Sequence, residues 1–150
     1  MRSNKLYLQA IVVLVFLFIG TIQFSYPLNA AKYYATPSGA GNQEGTSWTN
    51  AIKGPDISDF INNDMQPGDT LLIDDNGSVF DNIELNISNG GNSSGKITIK
   101  GVDQGDGYPL FRGNGRSGGY CIRISKSVSH LTLQNLRIED YKNALEVDAG

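Results

Sequence analysis

From Asp69 onward, short β-branched runs return at near-even intervals, each a few residues long and fenced by Gly, Asn, Asp or Ser. They are Thr70-Ile73 (TLLI), Ile83-Ile87 (IELNI), Ile97-Ile99 (ITI), Leu110-Phe111, Ile122-Ile124 (IRI), Leu131-Leu133 (LTL), Leu136-Ile138 (LRI) and Leu145-Val147 (LEV). No helical period interrupts them, so they read as strands joined by turns, which a sandwich or a barrel would also satisfy. The spacing narrows the choice. Leu71 to Ile97 is 26 residues, Ile97 to Ile122 is 25, and Ile122 to Leu145 is 23. Strand and turn repeated at that period stack coil upon coil as a solenoid. Within the runs the apolar residues alternate, so Ile97/Ile99, Ile122/Ile124 and Leu145/Val147 are expected to face inward. Thr98, Arg123 and Glu146 are expected to face out, and Leu71, Ile97, Ile122 and Leu145 to stack as one aliphatic column.

The N-terminus is different in kind. Arg2 and Lys5 precede an apolar run from Ala10 to Ile19, followed by Pro27 and the small residues Ala30 and Ala31. That order is the pattern of a secretory signal peptide cut after Ala30 or Ala31; the apolar run is about half of what a bilayer span requires. Without residues 1–31 the chain carries 10 basic and 15 acidic side chains, a net charge of −5. An acidic surface argues against nucleic acid as a partner. Cys121 is the only cysteine, so no intrachain disulfide can form and stability has to come from a continuous apolar core.

Between these parts, Tyr33-Tyr34 reads as a short strand, and a Gly/Ser/Asn-rich loop leads to Trp48, read as a packing anchor. Gly54-Pro55-Asp56 then starts a helix whose Ile57, Phe60, Ile61 and Met65 form one apolar stripe, ended by Pro67-Gly68. A short one-sided helix must cover something apolar, and a lid over the end of the core fits.

Several of these segments resemble a known pattern. Tyr33-Tyr34-Ala35-Thr36-Pro37-Ser38-Gly39, Gly45-Thr46-Ser47-Trp48 and Gln66-Pro67-Gly68-Asp69-Thr70 resemble the N-terminal cap and first coil of secreted right-handed parallel β-helix proteins of the pectate-lyase-like superfamily. Gly95-Lys96-Ile97-Thr98-Ile99-Lys100-Gly101 and Ser129 to Ile138 look like its recurring strand patterns, with Asn135 in the tight turn where such folds often stack asparagines. The resemblance implies an all-β fold: a right-handed parallel β-helix with a short N-terminal capping helix. It divides the chain into a signal peptide (1–31), a cap (32–68) and the first three to four coils (69–150), with further coils expected beyond Gly150. It also implies an extracellular or cell-surface polysaccharide as partner, with no membrane contact after signal cleavage. Two functions follow from it: a polysaccharide lyase whose catalytic groove lies beyond these coils, or a non-catalytic adhesin or glycan-binding β-helix.

No catalytic residue is singled out by the sequence. β-Elimination needs a base and a cation that neutralises a uronate. Lys96, Lys100, Arg112, Arg116, Arg123, Lys126, Arg137 and Lys142 are available, but no motif selects among them. Arg123 and Glu146 read as a surface ion pair on successive coils. For two-carboxylate hydrolysis, Asp103, Asp106, Glu139 and Asp140 lie in turns without a pairing by spacing. His130, the only histidine, reads as structural. Asp74-Asp75-Asn76-Gly77 and Asp103-Gln104-Gly105-Asp106-Gly107 are acidic turns that fail the EF-hand pattern, because Leu72 or Val102 falls at its first ligand position. They read as ordinary turns. No cofactor is evident; calcium stays open for the complete protein. Three Asn-x-Ser tripeptides, at Asn76, Asn86 and Asn92, are of the kind an Asn- and Ser-rich chain produces by chance.

Overall fold

The computed structural model describes residues 30–115 and 119–149. The expected signal segment lies almost wholly outside the described residues, and among those described no helix is long and apolar enough to cross a membrane. The chain is mostly β, built from parallel sheets and one short α-helix. β1 (Lys32–Thr36), β2 (Ile52–Lys53), β3 (Thr70–Ile73), β6 (Ile97–Gly101) and β9 (Leu131–Gln134) form sheet A, in the order β2-β1-β3-β6-β9. Sheet B holds β4 (Phe80–Asp81), β7 (Leu110–Arg112) and β10 (Arg137–Glu139). Sheet C holds β5 (Leu85–Ile87), β8 (Tyr120–Ile124) and β11 (Asn143–Val147). From β3 onward the chain visits A, B and C in turn, three times, and every ladder is parallel.

Parallel pairing sets each inward side chain over its counterpart one circuit away. In sheet A, Leu71 pairs with Ile99 and Ile99 with Leu133. In sheet B, Phe80 pairs with Phe111 and Phe111 with Ile138, and the two phenyl rings stack at 4.4 Å between centroids. In sheet C, Leu85 pairs with Ile122 and Ile122 with Leu145. Leu71, Phe80, Leu85, Ile99 and Phe111 are fully buried in one apolar cluster. This corrects the single column read from the sequence: Leu71 and Ile97 belong to sheet A, Ile122 and Leu145 to sheet C. The true intervals are 28 and 34 residues in sheet A, 31 and 27 in B, and 37 and 23 in C. Loops of unequal length between strands absorb the differences, so no single period describes the chain. The alternation holds on β6, with Ile97 and Ile99 buried around Thr98, whereas on β8 adjacent Cys121 and Ile122 are both buried, with Arg123 opposite Glu146. On the outermost strand, Leu145 and Val147 remain 50% and 60% exposed.

The helix does what its stripe requires. A 3-10 turn (Gly54–Asp56) runs into α1 (Ile57–Asn63), and Ile57, Ile61 and Met65 enter the core. α1 lies against the free edge of sheet C, where no strand precedes β5. An open edge needs partners for its backbone groups, and the helix supplies them through side chains. Ser58 Oγ donates to the Glu84 carbonyl and accepts from the Asn86 amide at 3.0 Å. Asn62 donates to the Asn86 carbonyl and accepts from the Ser88 amide, both at 2.8 Å. The 3-10 turn covers the edge of sheet B: a Cβ on Gly54 would lie 3.1 Å from the Phe80 ring. Trp48 packs edge-on against Tyr34 at 4.8 Å, as an anchor should.

Asn135 does occupy a tight left-handed turn, at φ 56°, between β9 and β10. By register the residues at this position on the earlier strands are Gly101 and Ile73, so Asn135 is not stacked on asparagines there. The turn brings the Asn135 carbonyl against Gly101, where a Cβ would clash.

Asp69 joins cap to sheets. It is 3% exposed, and its carboxylate accepts the Ala31 and Gln66 amides, both at 2.8 Å. Charge-assisted bonds of this kind contribute about 1.5–3 kcal/mol each before coupling is considered. Asp69→Ala is expected to lower unfolding free energy by roughly 3 kcal/mol, measured by urea denaturation; a loss below the error of the fit would mean that the two amides find water instead.

Candidate functional site

The side chains that alternate outward from sheet A build a groove. One outward row runs Lys32, Thr70, Thr98, Thr132, and the next runs Tyr34, Leu72, Lys100, Gln134. A concave surface of about 650 Å³ lies over these rows. Its side wall is the β6–β7 loop, which contributes Asp103 and the 43% exposed Tyr108. Lys32 and Lys100 are both exposed, and among the described residues neither ammonium lies within ion-pair distance of a carboxylate. The groove therefore offers two cations, hydroxyl and amide hydrogen-bonding groups, and an aromatic face on an otherwise acidic chain.

Of the cations weighed from the sequence, Lys100 alone joins this groove. Arg112 faces Asp81 at 3.8 Å and Arg137 faces Glu139 at 3.6 Å, both exposed. Arg116 lies outside the described residues; Lys96, Lys126 and Lys142 are exposed elsewhere. Arg123 meets Glu146 at 3.6 Å, but its shorter contact is Asp148 at 2.7 Å, and its guanidinium stands 5.3 Å from the Tyr120 ring centroid. The Asp148 hydrogen bond, then Tyr120, raise its already high pKa. At this exposure the network contributes little stability. His130 has left-handed backbone at φ 53°, its Nδ1 lies 3.1 Å from Ser129 Oγ, and its carbonyl accepts the Ile97 amide. It serves as a turn.

The carboxylates are divided in the same way. Asp103 Oδ1 accepts the Gly105 and Gly107 amides, shaping its own loop, while Asp140 takes a left-handed turn. What the sequence could not place together is Asp106 with Asp74 and Asp75. The β3–β4 turn and the β6–β7 loop are adjacent in space, and the three carboxylates converge. Burial pushes the Asp74 carboxyl above its ordinary value, against the Gln104 hydrogen bond and with the help of the Asp106 and Asp75 charges. Of the Asn-x-Ser asparagines, Asn86 is engaged by the Tyr120 hydroxyl and Asn92 by the Ser94 amide.

Lys32, Thr70 and Tyr108 were not singled out by sequence reasoning. Lys32 and Thr70 open their strands one residue before an inward one, so the alternation held a signal for them, while Tyr108 lies on the β6–β7 loop, where alternation carries none.

The one thiol is no nucleophile. Cys121 is fully buried on β8, and burial is the main cause that pushes its pKa up to about 12. Neighbouring Tyr141 is also raised, chiefly by burial, and its hydroxyl donates to the Ile83 carbonyl at 2.6 Å. Against known proteins, the chain matches no family model and no curated protein.

These two groups yield a test with a definite sign. A folded-state pKa raised above the unfolded one contributes stability that is complete below the unfolded value and lost as pH rises through the folded one. Thermal stability is expected to fall as pH climbs from about 9 toward 12. At pH 8 a maleimide is expected to leave native Cys121 unlabelled while labelling the urea-unfolded chain fully. Labelling of both forms at one rate would show that β8 opens in the native state.

Proposed function

We propose that this chain is a secreted, carbohydrate-active protein of the pectate-lyase-like superfamily, that its sheets wind as a right-handed parallel β-helix, and that the sheet A groove holds an acidic polysaccharide. One observation carries the reading: Lys32 and Lys100, both without an ion-pair partner among the described residues, face one groove beside exposed Tyr108. Paired ammoniums on a chain of net charge −3 favour a ligand carrying negative charge. Threonine hydroxyls and the Gln134 amide suit sugar hydroxyls, and an exposed phenol suits the apolar face of a pyranose ring. The geometry also suits a polymer. Neighbouring strands stand about 4.8 Å apart, close to the length of one pyranose unit, so a glycan crossing the strands meets one strand's outward side chains per sugar. Lys32 and Lys100 lie two strands apart, roughly 10 Å across the sheet, a spacing suited to alternate uronates.

The experiment is a binding titration of the full chain against pectate, alginate, chondroitin and a neutral glucan. Binding to an acidic polymer, weakened by salt, is expected. Replacing both lysines (Lys32→Ala with Lys100→Ala) is expected to reduce affinity about tenfold, the loss of roughly 1.4 kcal/mol. Equal binding by the double variant, or a preference for the neutral glucan, would remove the groove from consideration. Unsaturated uronate absorbance, followed in the same mixtures, separates the two functions: its appearance makes the protein a lyase, and binding without it makes it a glycan-binding module.

A further inference from the structure

Asp74 and Asp75 belong to the β3–β4 turn and Asp106 to the β6–β7 loop, so the three come from corners one circuit apart. One carboxylate oxygen from each falls within 4.8 Å of the others. Asp74 is 1% exposed and Asp75 5%, while Asp106 is open to solvent. Among the described residues no Lys, Arg or His lies within ion-pair distance of any of them. The Asp75 oxygens are in use, accepting the Gly77 amide at 3.3 Å and the Leu110 amide at 3.0 Å. Asp74 differs. Its Oδ2 accepts from Gln104 Nε2 at 2.9 Å, but its Oδ1 is buried and accepts no hydrogen bond of good geometry among the described residues, the neighbouring Asn76 amide easing the carboxylate only in part.

A buried carboxylate oxygen without a donor bears the whole loss of its hydration. A second buried carboxylate beside it adds repulsion. One bound cation answers both difficulties. We propose that Asp74, Asp75 and Asp106 bind a single Ca²⁺ ion, which clamps the β3–β4 turn to the β6–β7 loop. The donors are hard oxygens with no imidazole or thiolate among them, a set that selects Ca²⁺ or Mg²⁺ over transition metals. Calcium ligands lie about 2.3–2.6 Å from the ion, so oxygens on opposite sides stand about 5 Å apart, and irregular geometry is tolerated. Magnesium demands a regular octahedron with opposite oxygens about 4 Å apart. Three oxygens within 4.8 Å of one another lie in reach of one calcium ion, whose longer bonds and tolerance of irregular geometry suit such a set, and exposed Asp106 marks the side from which water completes the shell. The ligands come from two corners rather than one loop, which is why the EF-hand pattern does not find them. The site stands independently of the groove and of any glycan.

The full chain, stripped with EDTA, is titrated with CaCl₂ by calorimetry and melted at pH 7 with and without the ion. One ion per chain is expected, with a rise in Tm of about 5–10 °C at a hundredfold excess over Kd. Magnesium is expected to bind at least tenfold more weakly. Asp106 accepts no hydrogen bond among the described residues, so Asp106→Asn is a mild change. It is expected to weaken calcium binding at least tenfold while leaving the calcium-free Tm equal or higher, since one repelling charge has gone. Asp74→Asn is expected to abolish the calcium response. The absence of heat and of any Tm change at millimolar Ca²⁺ would overturn the site. Wild-type affinity in either variant would do the same, placing the ion elsewhere.

Discussion

Parallel hydrogen bonding between a strand and its counterpart one circuit later is the constraint on which everything else in this structure depends. It leaves no freedom of register: once Leu71 stands opposite Ile99, Thr70 must stand opposite Thr98 and Leu72 opposite Lys100. A slip of one residue would turn Leu71 and Ile73 to solvent. The apolar core is therefore not a pool of side chains but several files of them, each anchored to one sheet, and the Phe80–Phe111 stack is the clearest case. The same constraint creates edges wherever pairing starts. Sheet C begins at β5, and the helix covering it provides two polar side chains, Ser58 and Asn62, where another strand would have provided backbone.

The identity of most strands was legible because alternation over three or more residues survives in a sequence whatever lies between. β2 and β4 were not legible, since two residues with one apolar member carry no alternation. The helix was legible in its proline start and its apolar stripe, but it ends at Asn63, before the Met65 and the Pro67-Gly68 stop read for it. The pairing was only partly legible. Ile122 with Leu145 was right because β8 and β11 are joined by short segments. Leu71 with Ile97 missed by two residues, and Ile97 with Ile122 joined different sheets, because a count of residues cannot separate strand from loop. The groove and the acidic corner were the least legible, for the same reason. Lys32 and Lys100, like Asp74 and Asp106, meet only after the chain has completed whole circuits.

Parallel sheets are usually covered on both faces and written as unbroken apolar runs. These strands alternate instead, and the outer face of sheet A is wet. That difference makes a groove available. Because register repeats along the stack, outward residues fall into straight rows at the strand spacing, so a repeating ligand meets a repeating surface. On sheets B and C, Arg112 faces Asp81 and Arg123 faces Glu146 across a ladder, so these outward charges neutralise each other. Among the described residues, Lys32 and Lys100 in the rows of sheet A stand in no ion pair.

The three corners that lead from sheet A to sheet B make a comparison within one molecule. The last turns on Asn135, whose left-handed backbone and uncharged amide suffice for the bend. The first could have done as much with Asn76-Gly77 alone, both left-handed and closed by the Ser78 amide on the Asp75 carbonyl at 2.8 Å. Turning the chain therefore does not call for two buried carboxylates ahead of that pair. Asp69 shows what a buried aspartate looks like when structure is its whole purpose: both oxygens accept a backbone amide. Asp75 comes close to that standard and Asp74 falls short of it, with one oxygen left over beside two other carboxylates. Turn chemistry accounts for the bend and amide capping accounts for Asp75, but the spare oxygen of Asp74 is accounted for by neither, and a positive charge is the simplest group that satisfies it.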